Sequence, residues 1–521
     1  MRALWGLASA LFLTALAPAT AATGAPQPAI VRPAATGAPW TAAAIAGLDR
    51  DLDALVAGAP TLRGAHVGII VETPAGKVLY AHDPDAVIQP ASTFKLLVGS
   101  VALDRLGPAF RFRTTLGRIP AVAPPGGVAG PEGLVLHGGG DPLLRRADLE
   151  AAADAAQRAG LTGPVDLRID TSAVSSDVRK GDGWQFDDVL ADYAPVVNGL
   201  PYEENVLDGW LDPAPVIGGP ATLRLTPPFA PQTIPAGTCP GGPTLLAFDV
   251  AVRTVAASAP ETVDVTPGRC GEVDLRGDAP QGRPTSLAMA VDAPEALARI
   301  AFADALGRRG ITAIAPPPAT VAEPLAGITQ TPQPPAPGET VIWTHDGEPL
   351  GALLGDFWMP SDNLVGEELF YALDAALNHH PGGPDGASAI ERAWLRGLGV
   401  DPASVVIADG SGLSQYDRIT PRILGTILRH DWNGPNRDAV LDGLPVLGVR
   451  GDLRHVGAGT PVAGRVFAKG GSMMHVRGLA GFGATAGHGA AVIVISVDDW
   501  LGADDDLDAF RAAVCERIIR E

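Results

Sequence analysis

The chain is short of lysine, of cysteine and of positive charge in general. Four of its 38 Lys and Arg residues are lysines: Lys77, Lys95, Lys180 and Lys469. Asp and Glu number 58, which gives a formal charge of −20, and no basic run interrupts the sequence. A nucleic-acid binder needs a basic footprint, so that class is excluded. Where lysine is this rare, each one is a candidate for a chemical role. Three cysteines are too few for a disulfide scaffold. Cys239 and Cys270 share one loop-rich stretch and are expected to pair as a disulfide, with Cys515 buried and free in a C-terminal helix pattern. No cysteine spacing suits zinc, and the ten histidines contain no H-E-x-x-H. No metal or organic cofactor is expected.

Long apolar runs are missing beyond the N-terminus, so no transmembrane helix is expected in the body of the chain. Residues 1–21 read as a signal peptide: Arg2, an apolar stretch over 3–16, and Ala19-Thr20-Ala21 as a small-x-small cleavage site. The expectation is an exported, periplasmic protein. Residues 22–39 are rich in Ala, Pro, Thr and Gly and read as a flexible leader.

What remains is a folded chain. Hydrophobic residues make up 46% and charged residues 18%, which excludes general disorder. At 521 residues the chain is too long for one ordinary core. The 64 Gly and 49 Pro follow no period, so collagen is excluded and many loops are expected.

The two ends share a texture. Trp40, Ile45, Leu48, Leu52 and Leu55 have helical spacing. His66-Val67-Gly68-Ile69-Ile70-Val71-Glu72 and Lys77-Val78-Leu79-Tyr80 flank the turn Thr73-Pro74-Ala75-Gly76 and read as a hairpin, followed by a helix over 93–106. Near the C-terminus, 465–469, 476–483 and 490–497 read as strands, the last nearly all apolar and therefore central. A helix over 507–519 closes the chain. Short loops between these strands predict antiparallel pairing, with both chain ends in one sheet. The middle differs. Residues 120–330 are Pro- and Gly-rich with short alternating runs such as Val165-Asp166-Leu167-Arg168-Ile169, and read as an inserted β-rich region. A helix begins at Pro294, and 346–378 is helical again.

Three short motifs carry the chemistry. Ser92-Thr93-Phe94-Lys95 opens a helix, where free N–H groups favour negative charge. Lys95 lies one turn on from Ser92. A buried Lys can lose its proton near neutral pH and act as the base that a serine nucleophile needs. Ser361-Asp362-Asn363 lies between two helical stretches. Lys469-Gly470-Gly471-Ser472 ends a strand. Each alone also reads as a helix cap or a Gly-rich turn. In the order S-x-x-K, S-D-N, K-x-G they form the motif set of penicillin-recognising serine enzymes.

The flanking residues resemble one family within that set: the D-alanyl-D-alanine carboxypeptidase/endopeptidases, or S13 peptidases, also called class C low-molecular-mass penicillin-binding proteins. The resembling segments are Pro90–Leu97, Gly138-Gly139-Gly140-Asp141-Pro142, the stretch 184–205, Asp409-Gly410-Ser411-Gly412-Leu413-Ser414 with Thr420-Pro421, and Gly451-Asp452-Leu453-Arg454. The likeness runs from about Trp40 to the C-terminus. It implies an α/β fold: a penicillin-binding transpeptidase-like domain, with an antiparallel sheet covered by helices and a helical lobe, plus inserted β-rich domains. The expected catalytic domain covers 40–119 and 331–521, a second domain 120–212 and 292–330, and a nested third domain 213–291.

The resemblance also implies roles. Ser92 would attack the carbonyl between two D-residues of a peptidoglycan stem peptide, with Lys95 as base. Ser361 and Lys469 would relay the proton, and Asn363 would hold a substrate amide. The N–H groups of Ser92 and Ser472 would form an oxyanion hole in the K-x-G strand, Gly470-Gly471-Ser472. Lys469 and the Ser472 hydroxyl would take the terminal carboxylate. Asp188, Tyr193 and Met473 fall where some members bind a diaminopimelate side chain. β-Lactams are expected as covalent inhibitors. The family usually has Thr where this chain has Gly470. That Thr hydroxyl helps hold the carboxylate, so Gly470→Thr is expected to speed acylation. Two alternatives stay open at this point: a serine β-lactamase, and a non-catalytic wall-binding protein with a degenerate K-G-G motif.

Overall fold

A computed structural model describes residues 28–121, 130–226, 232–233, 247–268, 272–314, 328–331 and 335–521. The expected signal peptide, Cys239 and Cys270 lie outside the described residues. The chain begins with α1 (Ala42–Gly58), β1 (His66–Glu72), β2 (Val78–His82) and α2 (Lys95–Arg105). A long insertion follows: β3 (Arg113–Ile119), β4 (Glu132–His137), α3 (Arg146–Arg158), β5 (Gly163–Asp170), β6 (Val206–Asp212), β7 (Thr222–Thr226), β8 (Gln232–Thr233), β9 (Ala247–Val255), β10 (Asp264–Pro267), β11 (Val273–Pro280), β12 (Thr285–Ala290), α4 (Pro294–Gly307), β13 (Ile311–Ile314), β14 (Ile328–Thr329) and β15 (Thr340–Asp346). The chain returns through α5 (Leu350–Trp358), α6 (Asn363–Asn378), α7 (Pro384–Gly397), α8 (Pro421–Asn433) and α9 (Arg437–Gly443). It closes with β16 (Val466–Met473), β17 (Val476–Ala484), β18 (Ala490–Asp498) and α10 (Asp504–Ile519).

The two chain ends do share a sheet, ordered β16-β17-β18-β1-β2. Its neighbours pair antiparallel, as the short loops require. β18 is central and buried nearly throughout. Both faces of the sheet are covered, which is why its sequence, Ala490-Ala491-Val492-Ile493-Val494-Ile495, is apolar without alternation. Val492 and Val494 join the core of the helical lobe, while Ile493 and Ile495 join the core beneath α1 and α10. Helix α2 is buried from Lys95 to Leu103. A helix hydrophobic all round belongs in the interior, and α2 fills the lobe between α5, α6 and α8. Gly99 permits its closest approach: a Cβ there would fall 2.4 Å from the Trp358 ring of α5. The Trp358 indole donates to the Lys95 carbonyl at 3.1 Å, fixing α2 at its first residue.

The insertion has its own core. A sheet ordered β13-β5-β4-β3-β15, with β14 also on β5, packs against α3 and α4. Strands β6, β7 and β12 form a second sheet, and β8 to β11 a third. Two expected boundaries differ from this pairing. β3 and β15 pair with each other, and β3 pairs with β4, so the insertion's sheet starts at Arg113 and ends at Asp346 rather than at 120 and 330. β6 pairs with β12, so the nested β-rich unit starts before residue 213. The leader also differs from expectation. Its described part, 28–39, lies against the catalytic sheet: Val31 N–H donates to Gly464 O, Ala38 N–H to Gly487 O, and Ala34 O accepts from Ala490 N–H. Pro33 is buried. Small residues and Pro look flexible by composition, but backbone groups paired in this way hold the segment down.

Candidate active site

Ser92 sits in a single 3-10 turn, Ala91–Phe94, that feeds α2. Ala91 before it is fully buried with φ 46°, a left-handed conformation costly for a residue with a Cβ. The surroundings impose it. A Cβ on Gly412 would fall 2.2 Å from the Ala91 carbonyl, and one on Gly471 2.8 Å from the Pro90 carbonyl, so two glycine-bearing segments close on the turn. Thr93 Oγ1 donates to Pro90 O at 2.6 Å and closes the turn internally.

Lys95 is fully buried and points back to Ser92. Its Nζ lies 3.1 Å from Ser92 Oγ, donates to Ser411 O at 2.7 Å, and donates to Asn363 Oδ1. Burial, then the Lys469 charge, lowers its pKa from 10.5 to about 7; Asp409, Asp362 and Glu367 oppose this. Asn363 opens α6, where Asp362 caps the helix by accepting from Val365 N–H at 3.0 Å. Burial, with Glu204 nearby, pushes the Asp362 carboxyl up to about 6. Asn363 Nδ2 donates one of its two N–H bonds to Tyr193 O at 2.6 Å. Ser361 is held at φ 66° in the turn between α5 and α6.

Lys469 is fully buried in β16, an edge strand beside the Ser92 turn. Its Nζ pairs with Asp452 Oδ2 at 2.7 Å and donates to Gly470 O at 2.8 Å. Burial lowers its pKa against the pull of Asp452. Ser472 is exposed two residues past Gly470. Met473 Sδ lies 3.4 Å from Gln89 Nε2. On the insertion side, Tyr193 Oη donates to Asp188 Oδ1 at 2.7 Å; burial and this contact raise the tyrosine pKa. The three motifs thus meet at one place, with the Asp188–Tyr193 pair one hydrogen bond away through Asn363.

A family model described as D-Ala-D-Ala carboxypeptidase 3 (S13) matches residues 48–516. The chain belongs to the S13 family. A D-alanyl-D-alanine carboxypeptidase of Actinomadura sp. strain R39 is 30% identical over 448 residues, covering 84% of this chain and 78% of that protein. The D-alanyl-D-alanine carboxypeptidase DacB of Haemophilus influenzae is 24% identical over 428 residues, covering 80% and 82%. The crystal structure of penicillin binding protein 4 (dacB) from the same organism superposes with a TM-score of 0.74 at 22% identity, over 90% of this chain and all of that one. The fold is therefore the one that the sequence resemblance implies.

Two expectations drawn from the S13 resemblance meet a different geometry here. Ser361 makes no hydrogen bond to Ser92, Lys95 or Lys469: the polar contacts of the two lysines go to Ser92, Asn363, Ser411, Asp452 and Gly470. The expected relay through Ser361 is not assembled in this arrangement. The space at Gly470 is also not free. A Cβ there would lie 2.9 Å from Leu453 Cδ2 and 3.2 Å from Asp452 Oδ2, so a side chain at this position requires Leu453 or Asp452 to shift.

Sequence reasoning missed the residues that hold the two lysines. Asp452 stands 17 positions before Lys469, in a segment that stands out in the sequence only by its family likeness. Ser411 acts through its carbonyl, which leaves no side-chain signature. Its N–H is held at 3.0 Å by Glu367 and 3.1 Å by Asp409, and Asp409 also accepts from Gly412 and Ser414 N–H. An Asp followed by small residues is the sign of such a side-chain turn.

Proposed function

We propose that this S13 protein is a serine-type D-Ala-D-Ala carboxypeptidase of peptidoglycan, with Ser92 as nucleophile and Lys95 as base. One observation carries the assignment: the arrangement around Lys95 Nζ. Asn363 Oδ1 and Ser411 O can only accept. A neutral Lys95 therefore gives its two N–H bonds to them and keeps its lone pair for the Ser92 hydroxyl. With a pKa near 7 the neutral form is available at ordinary pH.

In this reading Ser92 Oγ bonds to the carbonyl carbon of the penultimate D-Ala while its proton passes to Lys95. The C–N bond then breaks, and the proton leaves with the amine of the terminal residue. Water attacks the ester, its proton again taken by Lys95, and Ser92 is restored. The N–H groups of Ser92 and Ser472 stabilise the oxyanion. Lys469 receives the terminal carboxylate, with Asp452 holding its ammonium in place. In a chain of net charge −20, such local cations, rather than the overall field, hold an anionic substrate. The same acylation predicts covalent reaction with β-lactams.

In the same reading Asp188, Tyr193 and Met473 would meet the third residue of the stem peptide. Cleavage of D-Ala–diaminopimelate cross-links is the finer activity that this reading adds. Residues 1–21 act as an export signal that delivers the enzyme to the periplasm. No helix among the described residues is long and apolar enough to cross a membrane. Incubating purified sacculi with the enzyme and separating the muropeptides tests both activities. Loss of pentapeptides with release of D-Ala is expected, and loss of cross-linked dimers marks the endopeptidase. Unchanged muropeptides would reject the proposal.

A further inference from the structure

Lys95 has two acceptors besides Ser92, and both are tied to one loop of the insertion. Asn363 is anchored through Nδ2 on Tyr193 O at 2.6 Å. Ser411 is anchored through its N–H on Asp409 Oδ1, and the other Asp409 oxygen accepts the indole N–H of Trp184 at 2.8 Å. Trp184 and Tyr193 belong to the same segment, residues 181–194. That segment is seated closely on residues 409–416. Ser414 Oγ donates to Asp182 O at 2.5 Å, and Gln415 N–H to Gly183 O at 3.1 Å. A Cβ on Gly181 would fall 2.9 Å from Asp409 Cβ, and one on Gly183 2.6 Å from the Tyr416 ring. Lys180 braces the loop from its start by donating to the carbonyls of Val189 and Ala194.

We infer that the 181–194 loop is a positioning element for the general base. Through Trp184, Asp409 and Ser411 it fixes the direction of one Lys95 N–H bond, and through Asn363 the other, so that the remaining lone pair faces Ser92. Trp184 is a positioning residue in acylation, because its indole orients an acceptor of Lys95 rather than touching the reacting atoms. The inference rests on the reading of Ser92 and Lys95 as nucleophile and base.

Deleting the indole N–H has two consequences. Asp409 loses one of the donors that fix it, so the Ser411 carbonyl, still tied through its N–H to Glu367 and Asp409, is held less firmly and the amine is aimed less well. The Asp409 carboxylate then also favours the Lys95 ammonium more strongly. The charges that face Lys95 are Lys469 from β16, Asp409 from its loop, Asp362 from the α6 cap and Glu367 from α6. Of these, Trp184 touches Asp409 alone.

The test is the second-order rate of acylation by benzylpenicillin across pH, in wild type and Trp184→Phe. Benzylpenicillin carries no stem-peptide side chain, so a defect cannot come from substrate specificity. Trp184→Phe keeps a ring and removes the donor. The expected result is a fall of about tenfold near neutral pH, with the midpoint of the pH profile moved upward. Lysine labelled with 13C gives an independent readout of the Lys95 titration, since the chain has only four lysines. Ser414→Ala cuts the tie to Asp182 by a single hydroxyl and loosens the loop that seats Trp184 on Asp409, so it is expected to lower the same rate and move the midpoint the same way, by less, should Trp184→Phe fail to fold. Phe186→Ala, on an exposed side chain of the same loop, should leave rate and midpoint unchanged. Wild-type rates and midpoints in both Trp184→Phe and Ser414→Ala would overturn the inference, as would a uniform loss with an unmoved midpoint. Undiminished acylation of Ser92→Ala would instead sink the underlying reading.

Discussion

Gly470→Thr separates what the family pattern suggests from what the structure allows. By analogy, the threonine hydroxyl should recover a hydrogen bond to the substrate carboxylate and speed acylation. The local packing predicts the reverse. The first added carbon would stand 2.9 Å from Leu453 Cδ2 and 3.3 Å from Leu453 Cγ, in a side chain that is 3% exposed. It would also stand 3.2 Å from Asp452 Oδ2, the oxygen that holds Lys469. Threonine then adds two more heavy atoms beyond Cβ. Overpacking of this kind costs about 1–3 kcal/mol, and here the strain falls on the Asp452–Lys469 pair. Gly470→Thr should therefore unfold at a temperature lower by a few degrees and acylate no faster, or more slowly, than wild type. Differential scanning calorimetry and the benzylpenicillin acylation rate measure the two effects. Leu453→Ala supplies the internal check. Alone it leaves a cavity costing about 2–5 kcal/mol. Combined with Gly470→Thr, it makes room for the new carbon, so the double variant should lose about 1 kcal/mol or more less than the sum of the singles. Faster acylation by Gly470→Thr with an unchanged melting temperature would refute the packing argument.

Other outcomes follow from buried groups. Glu391 of α7 is fully buried with neither carboxyl oxygen hydrogen-bonded, and burial pushes its pKa well above 4.5. The folded state keeps its proton while the unfolded chain loses it, so its contribution is complete below about pH 4.5 and is lost as pH rises above it. Glu391→Gln should raise the melting temperature at pH 8 and leave it nearly unchanged at pH 4; equal shifts at both would refute this. Because Lys95 must be neutral to accept a proton, acylation should rise with pH through about 7, and a profile flat from pH 5.5 to 8.5 would remove Lys95 as the base. Cys515 is buried, and burial pushes its thiol up to about 12, so alkylation of the native protein should leave it untouched. After unfolding without reductant, one labelled thiol is expected from the proposed Cys239–Cys270 pairing, and three would refute that pairing.

The sequence disclosed the parts whose physics is local or periodic. β1 is the run His66–Glu72 read beforehand, because an apolar stretch met a Thr73-Pro74-Ala75-Gly76 turn. Pro294 opens α4 because a fixed φ and a missing N–H suit a first helical turn. Ser92, Lys95 and Asn363 came together as their motif order implied. What stayed hidden depends on distant pairing or on backbone. β3 and β15 look like flanks of the catalytic part, and only their mutual pairing across the whole insertion assigns them to its sheet. The left-handed turns at Ala91 and Ser361 carry no glycine to announce them. The bond from Lys95 to Ser411 ends on a carbonyl that every residue possesses. The leader's composition does not show that Gly464 and Gly487 offer it carbonyls.

The central claim is that Ser92 is the acylated nucleophile. Its most direct test is peptide mass mapping of the protein after brief exposure to benzylpenicillin. The account predicts one added penicilloyl group, located on the peptide containing Ser92 and missing from Ser92→Ala. An unmodified wild-type protein, or an adduct that persists in Ser92→Ala, would contradict it.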